Sequence, residues 1–266
     1  MKQSNNETIK VLFIGDIVGR PGRGAVTDFL AKNRSNYDLV LANGENLASG
    51  SGMTYEKYQE MIRVGIDYFT SGNHIWRIKD FVSYLDDRST KVLRPANFPA
   101  SCPGYGDVEL EIAGSAVAII NLQGRVFMPD NLDDPFSIGK KLAEEHKNAI
   151  IIVDFHAEAT SEKVALGYYL DGVASAVLGT HTHIQTSDEK ILSNGTAYIT
   201  DVGMCGPADS VLGVKKEIII ERFLTQLPQS HKVAVGDSIL NAVEIEFDKK
   251  SKKATKIKRI QELYYY

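Results

Sequence analysis

Cysteine is nearly absent. Cys102 and Cys205 are the only two in 266 residues, and they form no CxxC spacing. That argues against a disulfide framework and for free thiols in a reducing compartment. No apolar run approaches the roughly 18 residues that a membrane-spanning helix needs. The opening MKQSNNETIK carries no apolar signal core. These absences predict a soluble, cytoplasmic protein without a membrane partner. Positive charge is also lacking in excess: 30 Lys and Arg stand against 34 Asp and Glu, a net charge of −4. A broad nucleic-acid surface needs a basic face and is not expected, although a small pocket for one nucleotide remains compatible.

Apolar content is ample, at 43%, for a sizeable core. No repeat, low-complexity stretch or linker divides the chain, so one domain over 1–266 is expected, with 1–8 as a flexible polar N-terminus. Six short apolar runs recur: Val11–Ile14, Leu39–Ala42, Tyr68–Thr70, Ala149–Val153, Ala174–Leu178 and Ala197–Thr200. Their length, β-branched content and lack of alternation predict strands buried on both faces. Helical spacing marks Arg23–Arg34, Tyr55–Arg63 and Phe136–Lys147 between them. Residues 107–120 and 240–261 alternate instead, as antiparallel pairs do, the second around a solvated basic tip at 248–253. The class is α/β.

What ends these runs is less ordinary. Asp16 follows the first, Glu45 and Asn46 the second, Asn73 and His74 the third. His156 follows the fourth, and His181 and His183 the fifth. Four of the six histidines sit at such ends; His146 and His231 look like surface residues. Singly, each has a bland reading: Asp16 as a helix cap, "NGEN" as a turn, His156 as a satisfied core histidine. Jointly they are hard to ascribe to chance, because open α/β sheets bind ligands beyond the carboxyl ends of their strands. Imidazole, carboxylate and amide oxygen suit borderline cations such as manganese, iron or zinc. Even with His74 set aside, the seven others exceed what one ion with an open position can use. They suit two ions about 3.5–4 Å apart, a pair fitted to phosphoester hydrolysis.

The stretches "FIGDIVGRPGR", "LANGENLASGSGMT", "SGNHIW", "LRPANFP", "FHAEAT", "GTHTHIQT" and "YITDVGMCGP" together resemble the calcineurin-like metallophosphoesterases. The nearer likeness is to their YmdB-like branch of bacterial cyclic-nucleotide phosphodiesterases, and it spans nearly the whole chain. The resemblance implies a four-layer αββα sandwich, two mixed β-sheets flanked by helices. It implies that Asp16 and His183 bind one metal with Asn46 in support, that Glu45 bridges, and that Asn73, His156 and His181 bind the second. His74 would be the proton donor. The metals would be iron first, with manganese as the alternative and zinc less favoured. The substrate would be a small 2′,3′-cyclic nucleotide such as 2′,3′-cAMP, attacked at phosphorus by hydroxide generated at the metal pair. Homo-oligomers are compatible with the resemblance.

Two departures from the wider superfamily match this branch. Asp16-Ile17-Val18 replaces the usual Asp-x-His, and Glu45 stands where Asp is usual. "GDIVGRPGRG" lacks the Gly-Lys-Ser/Thr ending of a phosphate loop and the GxGxxG of a dinucleotide fold. Arg20 and Arg23 are open between substrate contact and solvation. The loops Ala48–Thr54, Phe127–Asp134 and Gly203–Gly213 are expected around the site, and Tyr264–Tyr266 reads as an exposed aromatic tail. Two other functions stay open: a phosphomonoesterase or 5′-nucleotidase-like activity, and a regulatory metal-binding protein acting through RNA-turnover partners.

Overall fold

A computed structural model describes residues 7–266; most of the expected polar N-terminus lies outside the described residues, and Thr8 already opens a strand. In chain order the strands are β1 (Thr8–Ile14), β2 (Asp16–Ile17), β3 (Leu39–Asn43), β4 (Tyr68–Thr70), β5 (Asp107–Ile112) and β6 (Ser115–Gln123). They continue as β7 (Ile150–His156), β8 (Ala176–Thr180), β9 (Lys190–Ile191), β10 (Ala197–Ile199), β11 (Met204–Pro207), β12 (Ser238–Asp248) and β13 (Ala254–Tyr264). The helices are α1 (Gly19–Asn33), α2 (Tyr55–Val64), α3 (Lys79–Val82), α4 (Pro135–Glu145), α5 (Thr160–Tyr169) and α6 (Lys216–Thr225).

Local chemistry explains the helix boundaries. Thr54 caps α2 by accepting from the Lys57 amide, and Gly65 ends it at a left-handed φ of 116°. Asp134 caps α4, with Pro135 in the first turn, where a missing N–H costs nothing. α1 starts four residues earlier than its apolar spacing predicts, because Pro21 is likewise tolerated in a first turn. α5 and α6 were not legible. α5 buries Glu162 and Lys163, which hides any apolar stripe, and α6 leaves Phe223 and Leu224 in solvent.

The strands form two mixed sheets. The first has seven strands in the order β2-β11-β12-β1-β3-β4, with β13 paired to β12; β1, β3 and β4 run parallel. The second has six, β5-β6-β7-β8-β10-β9, with a parallel centre and antiparallel edges. Both expected antiparallel pairs are present, the second lengthened through Tyr264. The aromatic tail is therefore partly strand, and Tyr266 donates its O–H to Asp28 on α1 at 2.7 Å.

Three separate cores reveal the layers. On β1, Ile9, Val11 and Phe13 pack against Val117, Ile119, Ile150 and Ile152 of the second sheet. The intervening Leu12 and Ile14 join Ala25, Val26 and Phe29 of α1 and Met61 of α2. Behind the second sheet, Ile120, Ile151 and Val153 meet Ala143 of α4 and Leu166 of α5. Side chains alternate between faces with period two, yet both faces are covered, so the sequence shows no polar–apolar alternation. The result is the four-layer αββα sandwich. Among the described residues, no helix is long and apolar enough to cross a membrane.

His146, expected as an ordinary surface histidine, closes α4 against the edge strand. Its Nε2 is 2.9 Å from Asp107 and its Nδ1 2.9 Å from Glu109, with the side chain 17% exposed. Burial works to lower its pKa, but the two carboxylates outweigh burial and raise it above the ordinary 6.5. A raised folded-state value stabilises the fold fully below the unfolded pKa and loses that contribution as pH climbs through the folded value. His146→Ala should therefore lower the Tm most below about pH 6.5, with the deficit shrinking at higher pH. A Tm difference that is flat from pH 5.5 to 9 would refute the clamp.

Candidate active site

The parallel strands of both sheets end on one edge, and a polar seam joins them there. Asn43, at the end of β3, donates from Nδ2 to Asp154 Oδ2 on β7 at 3.0 Å and accepts from the Glu45 amide at 3.1 Å. Asn121 of β6 binds both the N–H and C=O of Ser71, just after β4. Asp154 accepts the Thr180 hydroxyl proton at 2.7 Å, and that oxygen stands 2.9 Å from His156 Nδ1. Because Thr180 donates to Asp154, it can accept from His156 Nδ1, which leaves Nε2 as the nitrogen facing the cluster, as a lone pair toward a cation or as an N–H toward Glu45.

That Nε2 lies 3.0 Å from His181 Nδ1 and 3.2 Å from Glu45 Oε2. His181 in turn holds its Nε2 at 3.1 Å from Glu158 and donates its backbone N–H to Asp16 Oδ2 at 3.2 Å. Donor atoms of Glu45, His156 and His181 all fall within 4.8 Å of one another. Nitrogen ligands about 2.1 Å from a cation and at right angles would be about 3.0 Å apart, so the histidine spacing suits a shared ion. His183 gives its Nδ1 proton to the Leu212 carbonyl at 3.1 Å, which leaves Nε2 as its lone-pair atom. His74 approaches from the other side: its amide donates to Glu45 Oε2 at 3.1 Å, and its Nδ1 is 3.2 Å from Glu45 Oε1. Asn46 Nδ2 also reaches His74 Nδ1 at 3.2 Å.

Three oxygens in this cluster are buried with no hydrogen-bond partner: Asp16 Oδ1, Asn46 Oδ1 and Asn73 Oδ1. An orphaned buried acceptor costs about 1–3 kcal/mol, so three together call for a cation or ordered water. Charge says the same. Burial drives the Asp16 pKa up despite nearby His156, whereas His156 and His74 outweigh burial at Glu45 and pull it well down. Burial would depress His156, yet Glu45, Asp16 and Asp154 raise it to about 9. Burial and the neighbouring His156 push His181 down to about 3, and burial lowers His183. A cluster that draws a proton onto His156 is short of positive charge. Gly72 leaves room for these groups, since a Cβ there would collide with the His156 ring and the Glu45 carboxylate.

A sequence profile of the YmdB-like protein family matches residues 12–260. The chain belongs to that family. It is 50% identical over 256 residues to a Bacillus subtilis protein named 2′,3′-cyclic-nucleotide 2′-phosphodiesterase, covering 95% of this chain and 96% of the relative. Among solved structures, a Thermus thermophilus protein shares 43% identity at a TM-score of 0.91, covering 96% of this chain and 99% of its own. A Mycoplasma pneumoniae structure described as a novel phosphatase shares 36% identity at a TM-score of 0.92, covering 97% and 94%. A Haemophilus influenzae NAD nucleotidase, 15% identical at a TM-score of 0.63, shares the fold.

The sequence pointed to Glu45, His156 and His181, whose donor atoms converge, but not to the residues that support them. Asn43, Asp154 and Thr180 stand among the run-ending residues but were given no role, and Asn121 was missed, although polar residues inside fully buried strands were a visible signal. Asp201, which ends the sixth apolar run, was given no role either. It accepts from Lys163 Nζ at 2.6 Å and from the Thr182 amide and hydroxyl at 3.0 and 2.7 Å, beneath the His181-Thr182-His183 turn. Both histidines adopt left-handed backbones, φ 99° and 67°, a strained choice for non-glycine residues that this anchor maintains. Arg23 is a correction: it is buried, bound to Glu60 and the Leu47 carbonyl, and fixes the loop after Asn46 rather than facing solvent or a ligand. Arg20 remains exposed.

Lys163 and Asp201 are both essentially buried, so removing one partner strands a charge. Asp201→Ala should lose about 3–5 kcal/mol in urea unfolding, and Lys163→Met combined with it should restore much of the loss. A single variant within 1 kcal/mol of the parent would mean that the pair does not anchor the turn.

Proposed function

We propose that the chain is a metal-dependent phosphoric diester hydrolase acting on 2′,3′-cyclic nucleotides. The observation that carries this reading is the convergence of Glu45, His156 and His181 with the orphaned oxygens of Asp16, Asn46 and Asn73. The name of the Bacillus subtilis relative supports the substrate class, and 50% identity along almost the whole of both chains supports carrying it over.

The donor set fits two cations. Asp16, Asn46 and His183 would hold the first, Asn73, His156 and His181 the second, and Glu45 would serve both. Such a pair, iron or manganese by ligand type, supplies the Lewis acidity that acidifies a water and offsets charge on the phosphate oxygens. The remaining work falls to the chain. Thr180, Glu158 and the Leu212 carbonyl set which imidazole nitrogen of His156, His181 and His183 faces the cluster.

His74 holds the leaving-group proton. Its Nδ1 is engaged by Glu45 and Asn46, which leaves Nε2 on a side chain that is 24% exposed and can meet substrate. Hydrolysis forms one P–O bond from water and breaks one P–O bond to ribose. The proton that the ribose oxygen needs comes from His74 Nε2.

The reading is tested with 2′,3′-cyclic AMP and manganese-loaded protein against a chelator-treated control. Turnover should vanish with the metal. His74→Ala should keep its metal content and lose about 10²–10⁴-fold in kcat, the usual worth of a positioned acid. Glu45→Gln should lose metal as well as activity. Full turnover by Glu45→Gln or His181→Ala with metal supplied would sink the proposal.

A further inference from the structure

One exposed aromatic residue has no part in the fold. Phe127 is 86% exposed, the highest value for any large apolar side chain among the described residues. Its backbone is also left-handed, at φ 62°, a region that favours glycine over an aromatic residue. Two features that oppose stability coincide at one position, on a loop that is otherwise firmly held.

The hydrogen bonds of that loop place it at the rim of the site. Gln123, the last residue of β6, is in register with His156 on β7, and the Gly124 amide donates to the His156 carbonyl at 2.9 Å. The Arg125 and Val126 amides donate to the two oxygens of Glu162 at 2.9 and 3.2 Å. Gln123 Nε2 reaches forward to Asp130 at 3.0 Å. The Asp133 amide binds the Asn97 carbonyl at 3.1 Å, and neighbouring Phe98 packs edge-on to Trp76 at 5.4 Å, two residues past His74. Phe127 is thus suspended between anchors on the His156 side and the His74 side. It lies only four residues past the strand end, within about 14 Å of it along an extended chain.

We propose that Phe127 is the platform on which the nucleobase of the substrate stacks, an assignment that rests on the cyclic-nucleotide reading above. The phosphate would sit among the strand-end ligands and the base on the ring beyond Gly124. Every base offers a π-face, so stacking supplies affinity for nucleotides as a class without reading their edges. The strained backbone keeps the ring out of the core, and the pinned amides hold it without an ordering cost on binding.

The test uses the full chain, manganese-loaded, with two diesters: 2′,3′-cyclic AMP and methyl riboside 2′,3′-cyclic phosphate, which keeps sugar and phosphate but has no base. The parent should show a KM for the nucleotide about 5- to 150-fold below that for the base-free ester, as stacking of ~1–3 kcal/mol implies. Phe127→Ala and Phe127→Leu should lose that ratio, while Phe127→Tyr should retain it. An Ala variant that keeps the ratio, or one whose KM rises equally on both esters, would overturn the assignment. A parent inactive on both esters would overturn the diesterase reading and this inference with it.

Discussion

The hydrogen bond from Asn43 to Asp154 joins the ends of two sheets whose facing surfaces are otherwise apolar. Nothing in the hydrophobic packing between those sheets decides how their carboxyl ends align to a fraction of an ångström, because dispersion and burial are not directional. A buried amide bound to a buried carboxylate is directional, and leaving either unpaired is expensive. The pair aligns β3 with β7. It thereby sets Glu45, two residues beyond one strand end, against His156 at the other. Thr180 extends the same line to β8 and so to His181. Candidate ligands from three strands and both sheets thus depend on one short polar chain in the seam.

The region above the seam is held against its own preferences. Carboxylates at Asp16 and Glu45 are buried, three side-chain oxygens lack partners, and two histidines occupy left-handed backbone. The Asp16 carboxylate, the orphaned oxygens and the strained histidine turn each cost stability, as groups arranged to hold a cation without relaxing around it would. The cost is met elsewhere: three continuous apolar cores, and the buried Lys163–Asp201 pair under the histidine turn. The structure keeps its strain local and its scaffold regular, so loops such as the one bearing Phe127 can present side chains without disturbing the sheets.

Much of this was written in the sequence. The apolar runs gave the strands, because four-layer packing buries both faces and leaves continuous Val, Ile and Leu segments. The residues after those runs gave the ligand candidates, since strand ends are where an α/β sheet exposes polar groups. In β7 and β8 the polar residues proved to belong to the strands: His156 pairs with Thr180 within the ladder. Helices with a clean apolar stripe were legible. α5 was not, because Glu162 and Lys163 face inward to serve the Phe127 loop and Asp201.

Local sequence determined the α/β class, the helix caps at Thr54 and Asp134, and the identity of the metal-type side chains, all of which follow from short-range periodicity and side-chain chemistry. Tertiary structure alone decided which nitrogen of each histidine faces the cluster. The partners that settle it are distant along the chain: Thr180 for His156, Glu158 for His181, Leu212 for His183. It also decided that Arg23 turns inward and that Phe127 stands out. Those outcomes depend on which surfaces meet after the layers stack, and one-dimensional spacing carries no record of that contact.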